Sequence, residues 1–418
     1  MKGHGALVMG LHLNGTGILQ TMAAHGVPVA GIDHRRGQPG FWTRYGRTLV
    51  CPDPARDPRA LLAFLVELAG RLGWRAVLFP TSDEFVVFVA RHREALAPAF
   101  DVTVPPAEVV DAVIDKWRFH RLAQRHGIPA PATFRPASLD EVRGLRSELR
   151  FPCLVKPVVT ASWKGTGRER AVLVPTAGEL EAIWTRVSSV PGEVIVQERI
   201  PGGDDRLEFY FACYDRASRP LGEFTARKIR QYPAGVGSTC LAESARCPDL
   251  TAWSRRLLGA LGYQGLVDVE FKRDPRDGAL KVIEVNPRLG LQHRLARRTG
   301  VDLAFAAFCD AIGRTADVPA PRDTVPGVKW LVVSRDLERA HEELARGTLS
   351  VPGWLHSVRG PKVDATWDWR DPGPFVRSLR RRTLVAAAGI AAHVVRWIAT
   401  AVVARVGQAA TAGAWRSR

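Results

Sequence analysis

The sequence predicts an α/β and α+β fold: a small doubly wound α/β domain followed by a larger unit with antiparallel strand pairs. Three observations carry this. Short apolar strands alternate with helical segments over residues 1–110, and that alternation implies a parallel sheet. Residues 206–215, 220–233, 266–273 and 279–285 read as strands with turn-rich joints, the pattern of antiparallel pairs. The chain of 418 residues, nearly half of them hydrophobic, suits two to four domains at about 100–200 residues each. The expected boundaries are 1–110, 111–315, a C-terminal extension at 316–375 and a basic, Ala/Val-rich helical tail at 376–418.

The elements follow in order. "GALVMG" (5–10) is a short buried-type strand and "LHLNGTG" (11–17) a turn. "ILQTMAAHG" (18–26) is a helix with Gly26 as its C-cap, and 27–33 is the next strand. Residues 75–85 form a strand and its loop. Residues 111–127 form a helix stopped by Gly127, and 128–134 are extended because each Pro disfavours helix on its N-terminal side. A strand at 151–159 leads through a polar, Gly-containing loop (160–170) to a returning strand at 171–175. A helix over 176–189 takes Thr176 as its cap. Residues 193–202 are a strand leaving into a Pro-Gly loop. Helices are expected at 250–263 and 301–313, with a Pro-rich connector at 315–327.

The net charge of +17 favours anionic partners: nucleotides, phosphates, anionic membrane or nucleic acid. A coding bias toward Arg in a chain rich in Ala, Gly and Pro accounts for it equally well. The six cysteines are scattered without a Cys-x-x-Cys pair and read as reduced core residues of a cytoplasmic protein. The N-terminus reads as a strand and turn rather than a signal peptide. No HExxH or Walker A pattern is present, and "GLHLNGTG" lacks G-x-G-x-x-G spacing, which argues against a Rossmann oxidoreductase. No RRM, KH or helix-turn-helix signature accompanies the charge, so no specific nucleic acid is expected. No Asp or Glu follows Asp371, and "RSLRRR" (377–382) leads into the apolar stretch 383–406. His393 and Arg396 in its middle penalise spanning. A helix lying on the inner face of an anionic membrane and an Ala-rich helix packed on the protein both fit.

"KVIEVNPRLG" (281–290) places a carboxylate, an amide and a guanidinium at the end of an apolar strand. Alternation gives Glu284 the same face as Leu280 and Val282, with Asn286 continuing that face. In "LVDVEF", Asp268 and Glu270 share a face. Pairing the two strands would bring Glu270 to Glu284, and two carboxylates about 4 Å apart repel by roughly 4 kcal/mol at an effective dielectric of 20. A divalent cation removes that penalty, and magnesium prefers carboxylate and amide oxygens such as those of Glu270, Glu284 and Asn286. Arg288 presents a fork suited to phosphate or carboxylate. A hairpin with solvated carboxylates is equally compatible with the spacing. Lys156, ending a strand before a Gly-containing loop, suits phosphate, as it suits plain solvation. "VIVQERIPG" offers backbone groups and Ile200 at a strand-to-loop hinge, suited to an adenine ring.

The order Lys116, Lys156, a Gly-containing loop, "VQERIPG", "DVEF" and "IEVNPR" resembles the ATP-grasp superfamily over about residues 1–315. The resemblance implies an ATP-grasp domain at 111–315 behind a pre-ATP-grasp domain at 1–110. It implies Lys116 and Lys156 on the ATP phosphates, with Gln197, Glu198 and Ile200 around adenine and Asp205 toward the ribose. Glu270, Glu284 and Asn286 would hold magnesium, or manganese in its place. Arg288 would contact the transferring phosphate or the acid substrate, and Arg288 and Lys156 would be the catalytic residues. The loop 160–168 would close over the phosphates, although Trp163 and Lys164 stand where the family has small residues. "TARKIRQYPAGVGSTCLAE" (225–243) is similar to the carboxylate–amine ligase branch that includes D-aspartate ligase-like proteins, which places Arg227, Lys228 and Arg230 near the phosphates or an acidic substrate. The implied reaction joins a small carboxylate to an amine through an acyl phosphate. Carbamoyl-phosphate-synthase-like folds share these motifs, so ATP-dependent carboxylation stands as the alternative.

Overall fold

The computed structural model describes residues 3–163, 171–188, 193–235, 237–320 and 323–414. A first, parallel sheet contains β1 (His4–Met9), β2 (Val29–Asp33), β3 (Arg47–Val50), β4 (Arg75–Pro80) and β5 (Phe100–Val102), in the order β3-β2-β1-β4-β5. Its central strands β1, β2 and β4 are buried on both faces because both are covered, whereas the edge strand β3 is partly exposed. Leu7, Met9 and Leu78 join one core, while Ala6, Val8, Val77 and Phe79 join another that extends to Phe209 and Phe211. Strand order reverses between β1 and β4, so the loops leaving their carboxyl ends (10–12 and 81–83) border one crevice, the usual ligand position in such sheets.

The helix α1 spans Leu13–Ala24, starting five residues before the expected Ile18. The glycines expected to make a turn lie inside it. Gly10 has φ 101° and turns the chain at once, and the Thr16 backbone N–H and hydroxyl both donate to the His12 carbonyl at 2.9 Å. At Gly15 a Cβ would sit 1.9 Å from the Gly10 carbonyl oxygen, so the residue serves close packing.

A second sheet holds β6 (Thr133–Phe134), β7 (Cys153–Pro157), β8 (Val172–Val174) and β9 (Val194–Glu198), in the order β6-β9-β7-β8. The helix expected over 111–127 is two helices, Ala107–Ile114 and Lys116–Arg125. Asp115 breaks it, its carboxylate capping the second helix by accepting from the Arg118 N–H at 2.8 Å. The helix expected from Thr176 begins at Leu180, and the Thr176 hydroxyl bonds the Glu179 carboxylate instead of capping.

The third sheet comprises β10 (Leu207–Tyr214), β11 (Pro220–Tyr232), β12 (Ser238–Ser244), β13 (Gly265–Arg273), β14 (Leu280–Asn286), β15 (Lys329–Leu331) and β16 (Lys362–Asp364). Its order is β14-β13-β10-β11-β12-β15-β16, antiparallel except for the last pair. The helix α2 (Val333–Arg346) packs along β11, where buried Arg230 donates to Asp336 at 2.9 Å and to Ser357 at 2.8 Å. The tail forms a helix, α3 (Arg381–Ala414), whose Ile390 packs with Ala340, Leu344 and Val351. Among the described residues no helix is long and apolar enough to cross a membrane.

His293 opens a short helix (His293–Arg298) that follows β14 and lies against α1; this histidine is 3% exposed. Its ring nitrogen lies 3.1 Å from the Asn14 carbonyl oxygen. Burial, then Arg294, holds its pKa down at about 4. The unfolded chain therefore binds this proton below about pH 6.5 while the folded chain stays neutral, so stability falls as pH drops from about 6.5 to about 4. The loss expected from this group alone is on the order of 3 kcal/mol. Urea melts between pH 7.5 and 4.5 should show it, reduced in His293→Gln; an identical pH dependence in the two proteins would contradict the assignment.

Candidate functional site

β13 and β14 pair with Asp268 opposite Asn286 and Glu270 opposite Glu284. The register then shifts: Phe271 meets Val282, leaving Ile283 as an extra residue on β14. Such a bulge re-aims side chains. Leu280 and Val282 before it, and Val285 after it, all join the same core. Glu284 and Asn286 therefore turn to the other face, correcting the expectation that Glu284 shares a face with Leu280 and Val282.

That face carries concentrated negative charge. Burial and then the charge of Glu284 push the Glu270 carboxyl up to about 7. Burial and then Glu270 push Asp268 upward as well. The Asn286 amide donates to Asp268 at 3.5 Å and to Glu284 at 3.4 Å, contacts too long to neutralise the cluster. Asp268 Oδ1 is buried and finds no hydrogen-bond partner among the described residues. No group of three or more His, Cys, Asp and Glu that could hold an ion occurs among the described residues. The set is sparser: Glu270, Glu284 and the Asn286 amide oxygen. It fits magnesium, which takes few protein oxygens and leaves positions for phosphate.

Cations face this cluster from the second sheet. Lys156 near the end of β7 donates to Gln197 at 2.8 Å, and Gln197 donates in turn to Thr133 at 3.0 Å. Burial, then Lys116, pulls the Lys156 ammonium down to about 8, with Glu284 acting the other way. Lys116 opens its helix, its backbone N–H donating to the Val158 carbonyl at 3.0 Å and its Nζ to Thr160 at 2.7 Å. Lys116, Lys156, Glu270, Glu284 and Asn286 are thus brought together. Of the loop 160–168, Trp163 is buried; residues 164–170, with Lys164, lie outside the described residues.

The remaining expected residues divide. Lys228 is buried, donates to Gln231 at 2.9 Å and lies over the Phe209 ring at 5.3 Å; its charge acts on Asp268 and Glu270. Arg227 is paired with Glu243, which also takes Lys329. Arg230 is held by Asp336. Of the three basic residues that the resemblance placed together, Lys228 alone acts on the carboxylate cluster, and the register of β11 shifts on either side of Arg230. The Glu198 carboxylate is engaged by Arg276 and Lys281, which also hold Asp274, and its backbone N–H donates to the Ala132 carbonyl at 2.8 Å. Ile200 is buried, whereas Asp205 is exposed; the neighbouring Asp204 accepts from the Gln231 N–H at 3.2 Å.

The first sheet's crevice closes the site from the other side. Arg288 donates to Asp83 at 2.9 Å and to the Asn286 amide oxygen at 3.0 Å. Asn14 donates to the Leu289 carbonyl at 3.1 Å and the Thr81 carbonyl at 3.2 Å, clamping the turn that carries Arg288. The half-buried His12 ring lies 3.1 Å from the Thr81 carbonyl oxygen. Burial, then Arg288, with Arg335 and Arg35 behind, pulls its pKa down to about 4. The imidazole is therefore neutral, with Arg288, Arg335 and Arg35 near it and the Asp83 carboxylate on Arg288. His12 and Asp83 escaped the sequence reading, although both follow strands at a switch point, which is a usable signal. Arg335 has no such signal, because it arrives from the first turn of α2.

Residues 238–318 match the family described as carbamoyl-phosphate synthase L chain, ATP binding domain. The chain is 24% identical over 278 residues to the D-aspartate ligase of Enterococcus faecium (strain Aus0004), covering 63% of this chain and 66% of that one. It is 26% identical over 224 residues to the carbamoyl phosphate synthase large chain of Vibrio cholerae, covering 50% of this chain and only 20% of that one. The chain thus spans less than two thirds of the length of either relative. Among solved structures, it is similar to N5-carboxyaminoimidazole synthetase from Staphylococcus aureus, with a TM-score of 0.63 at 12% identity over 87% of this chain and 92% of that one. At that identity the likeness is one of fold.

Proposed function

We propose that this chain, which belongs to the ATP-grasp superfamily, is an ATP-dependent carboxylate–amine ligase. The observation that carries the reading is the Glu270–Glu284 pair facing Lys156 and Lys116 across the second and third sheets. A substrate carboxylate oxygen attacks the γ-phosphorus of ATP and ADP leaves. An amine then attacks the acyl carbon of the acyl phosphate, inorganic phosphate leaves, and the amine proton passes to solvent. Phosphoryl transfer asks chiefly for positioning and charge stabilisation, which suits a site of lysines and arginines. Lys116 and Lys156 bind phosphate oxygens, and the backbone of Gln197–Ile200 frames adenine, with Asp205 at the ribose edge. Arg288, oriented by Asp83 and Asn286, meets the transferring phosphoryl group. The crevice of His12, Arg35 and Arg335 receives the substrate carboxylate, with Lys228 on the opposite side. Magnesium or manganese, held by Glu270, Glu284 and Asn286, would supply charge neutralisation at the phosphate oxygens.

The D-aspartate ligase relative favours amide formation with an amino acid among the substrates. The match of 238–318 favours a second reading, carboxylation or carbamoyl-phosphate chemistry. The protein would work in the cytoplasm, where its six free cysteines stay reduced, with the basic tail toward an anionic inner membrane face. Screening pairs of carboxylates and amines for stimulated ADP release, with mass detection, tests the proposal. The expected result is at least about tenfold stimulation by one pair and a product weighing their sum less water. Stimulation by bicarbonate alone would support the second reading; ATP consumption that no pair alters would reject the first.

A further inference from the structure

We infer that α3 docks the protein onto a bilayer surface rich in anionic lipid, lying along that surface instead of crossing it. This inference is independent of the ligase reading. The helix is apolar on two opposite faces. One face, with Ala386 and Ile390, is buried against the α2 region. At 3.6 residues per turn, positions 384, 388, 391, 395 and 398 form a stripe on the opposite side. There Leu384 is 66% exposed, Val395 65% and Ile398 49%, with Val385 beside them at 59%; the intervening positions 388, 391 and 392 are alanines. A helix that merely covers a protein core turns polar residues outward, and this stripe has none.

Exposed apolar side chains are frequent in this stretch of the chain. Eight of the fourteen exposed large hydrophobic side chains among the described residues fall between 367 and 398. They include Trp367 and the 73% exposed Trp369, which has the Arg370 guanidinium 4.7 Å from its ring centre. Tryptophan beside arginine is the composition that settles at a membrane–water boundary.

Charge identifies what covers the face. Residues 372–418 contain eight arginines and no Asp, Glu or Lys, so nearly half of the net charge of +17 lies in this last segment. Two such tails brought together would repel one another, which disfavours a second copy as the occupant. An anionic lipid surface attracts the arginines and accepts the apolar stripe in one contact. Among the described residues no helix is long and apolar enough to span, so the helix lies in the interface plane.

Flotation of the full-length protein with phosphatidylcholine vesicles, and with equimolar phosphatidylcholine–phosphatidylglycerol vesicles, tests this. The expected result is at least about tenfold more protein floating with the anionic vesicles. Leu384→Asp/Val395→Asp should fall to the neutral-vesicle level with unchanged thermal unfolding. Arg380→Ser/Arg381→Ser/Arg382→Ser should lose about fivefold or more of the anionic binding. Equal flotation on both vesicle types, or none on either, would overturn the inference. So would a dimer by light scattering that the Asp double variant converts to monomer, because the face would then belong to a second copy.

Discussion

Glu284→Gln is expected to abolish magnesium-dependent ATP turnover, by roughly 10³-fold or more, while the protein stays folded. The substitution keeps the shape of the side chain and removes one of two facing carboxylates. Divalent-ion affinity should fall because half of the formal charge on the Glu270–Glu284 pair is gone. The fold should not suffer. The charge of Glu284 is the largest cause, after burial, that raises Glu270, so removing it relieves repulsion. Thermal unfolding without metal should be unchanged or slightly higher, and the stabilisation that magnesium confers on the wild type should disappear. Turnover equal to that of the wild type would remove the metal assignment.

Lys156→Met should lower kcat/KM for ATP by about 10²–10³-fold, the usual cost of deleting one preorganised charge in such a site. The pH dependence is specific. Burial and Lys116 hold the Lys156 ammonium at about 8, below its ordinary 10.5. Between those values the unfolded chain binds a proton that the folded chain does not, so stability should rise with pH across roughly 8–10.5. A bound phosphate restores the charged form, so ATP binding near pH 8–9 should take up a proton, and KM for ATP should climb as pH rises through 8. Calorimetry in buffers of different ionisation enthalpy measures the uptake. Proton uptake of the same size in Lys156→Met would assign it to another group.

Local features were legible in the sequence and distant ones were not. The β13–β14 hairpin could be read because its strands are joined by a short turn, and the pairing of Glu270 with Glu284 follows from it. The bulge at Ile283 could not, since it depends on Phe271 and Val282 packing into one core while Glu284 turns away. β11 shows the same limit: the family resemblance puts Arg227, Lys228 and Arg230 in one functional group, but Arg227 turns to Glu243, its direct partner on β12, and Arg230 to Asp336. Both partners come from later strands and helices. Asn14 shows the longest reach, its amide bonding Leu289 from 275 residues away. Side chains placed by sheet-to-sheet packing, such as His12, Asp83 and Arg335, leave little trace in local periodicity, whereas the run of Lys156, "VQERIPG" and "IEVNPR" does.

The central claim is that a carboxylate is activated as an acyl phosphate. Its most direct measurement uses the acid found by the screen, labelled with ¹⁸O in both carboxylate oxygens, in a reaction with ATP and the amine. The account predicts ADP as the nucleotide product and one ¹⁸O atom in each inorganic phosphate released with the amide. AMP and pyrophosphate as products, or phosphate free of ¹⁸O beside a labelled amide, would contradict it.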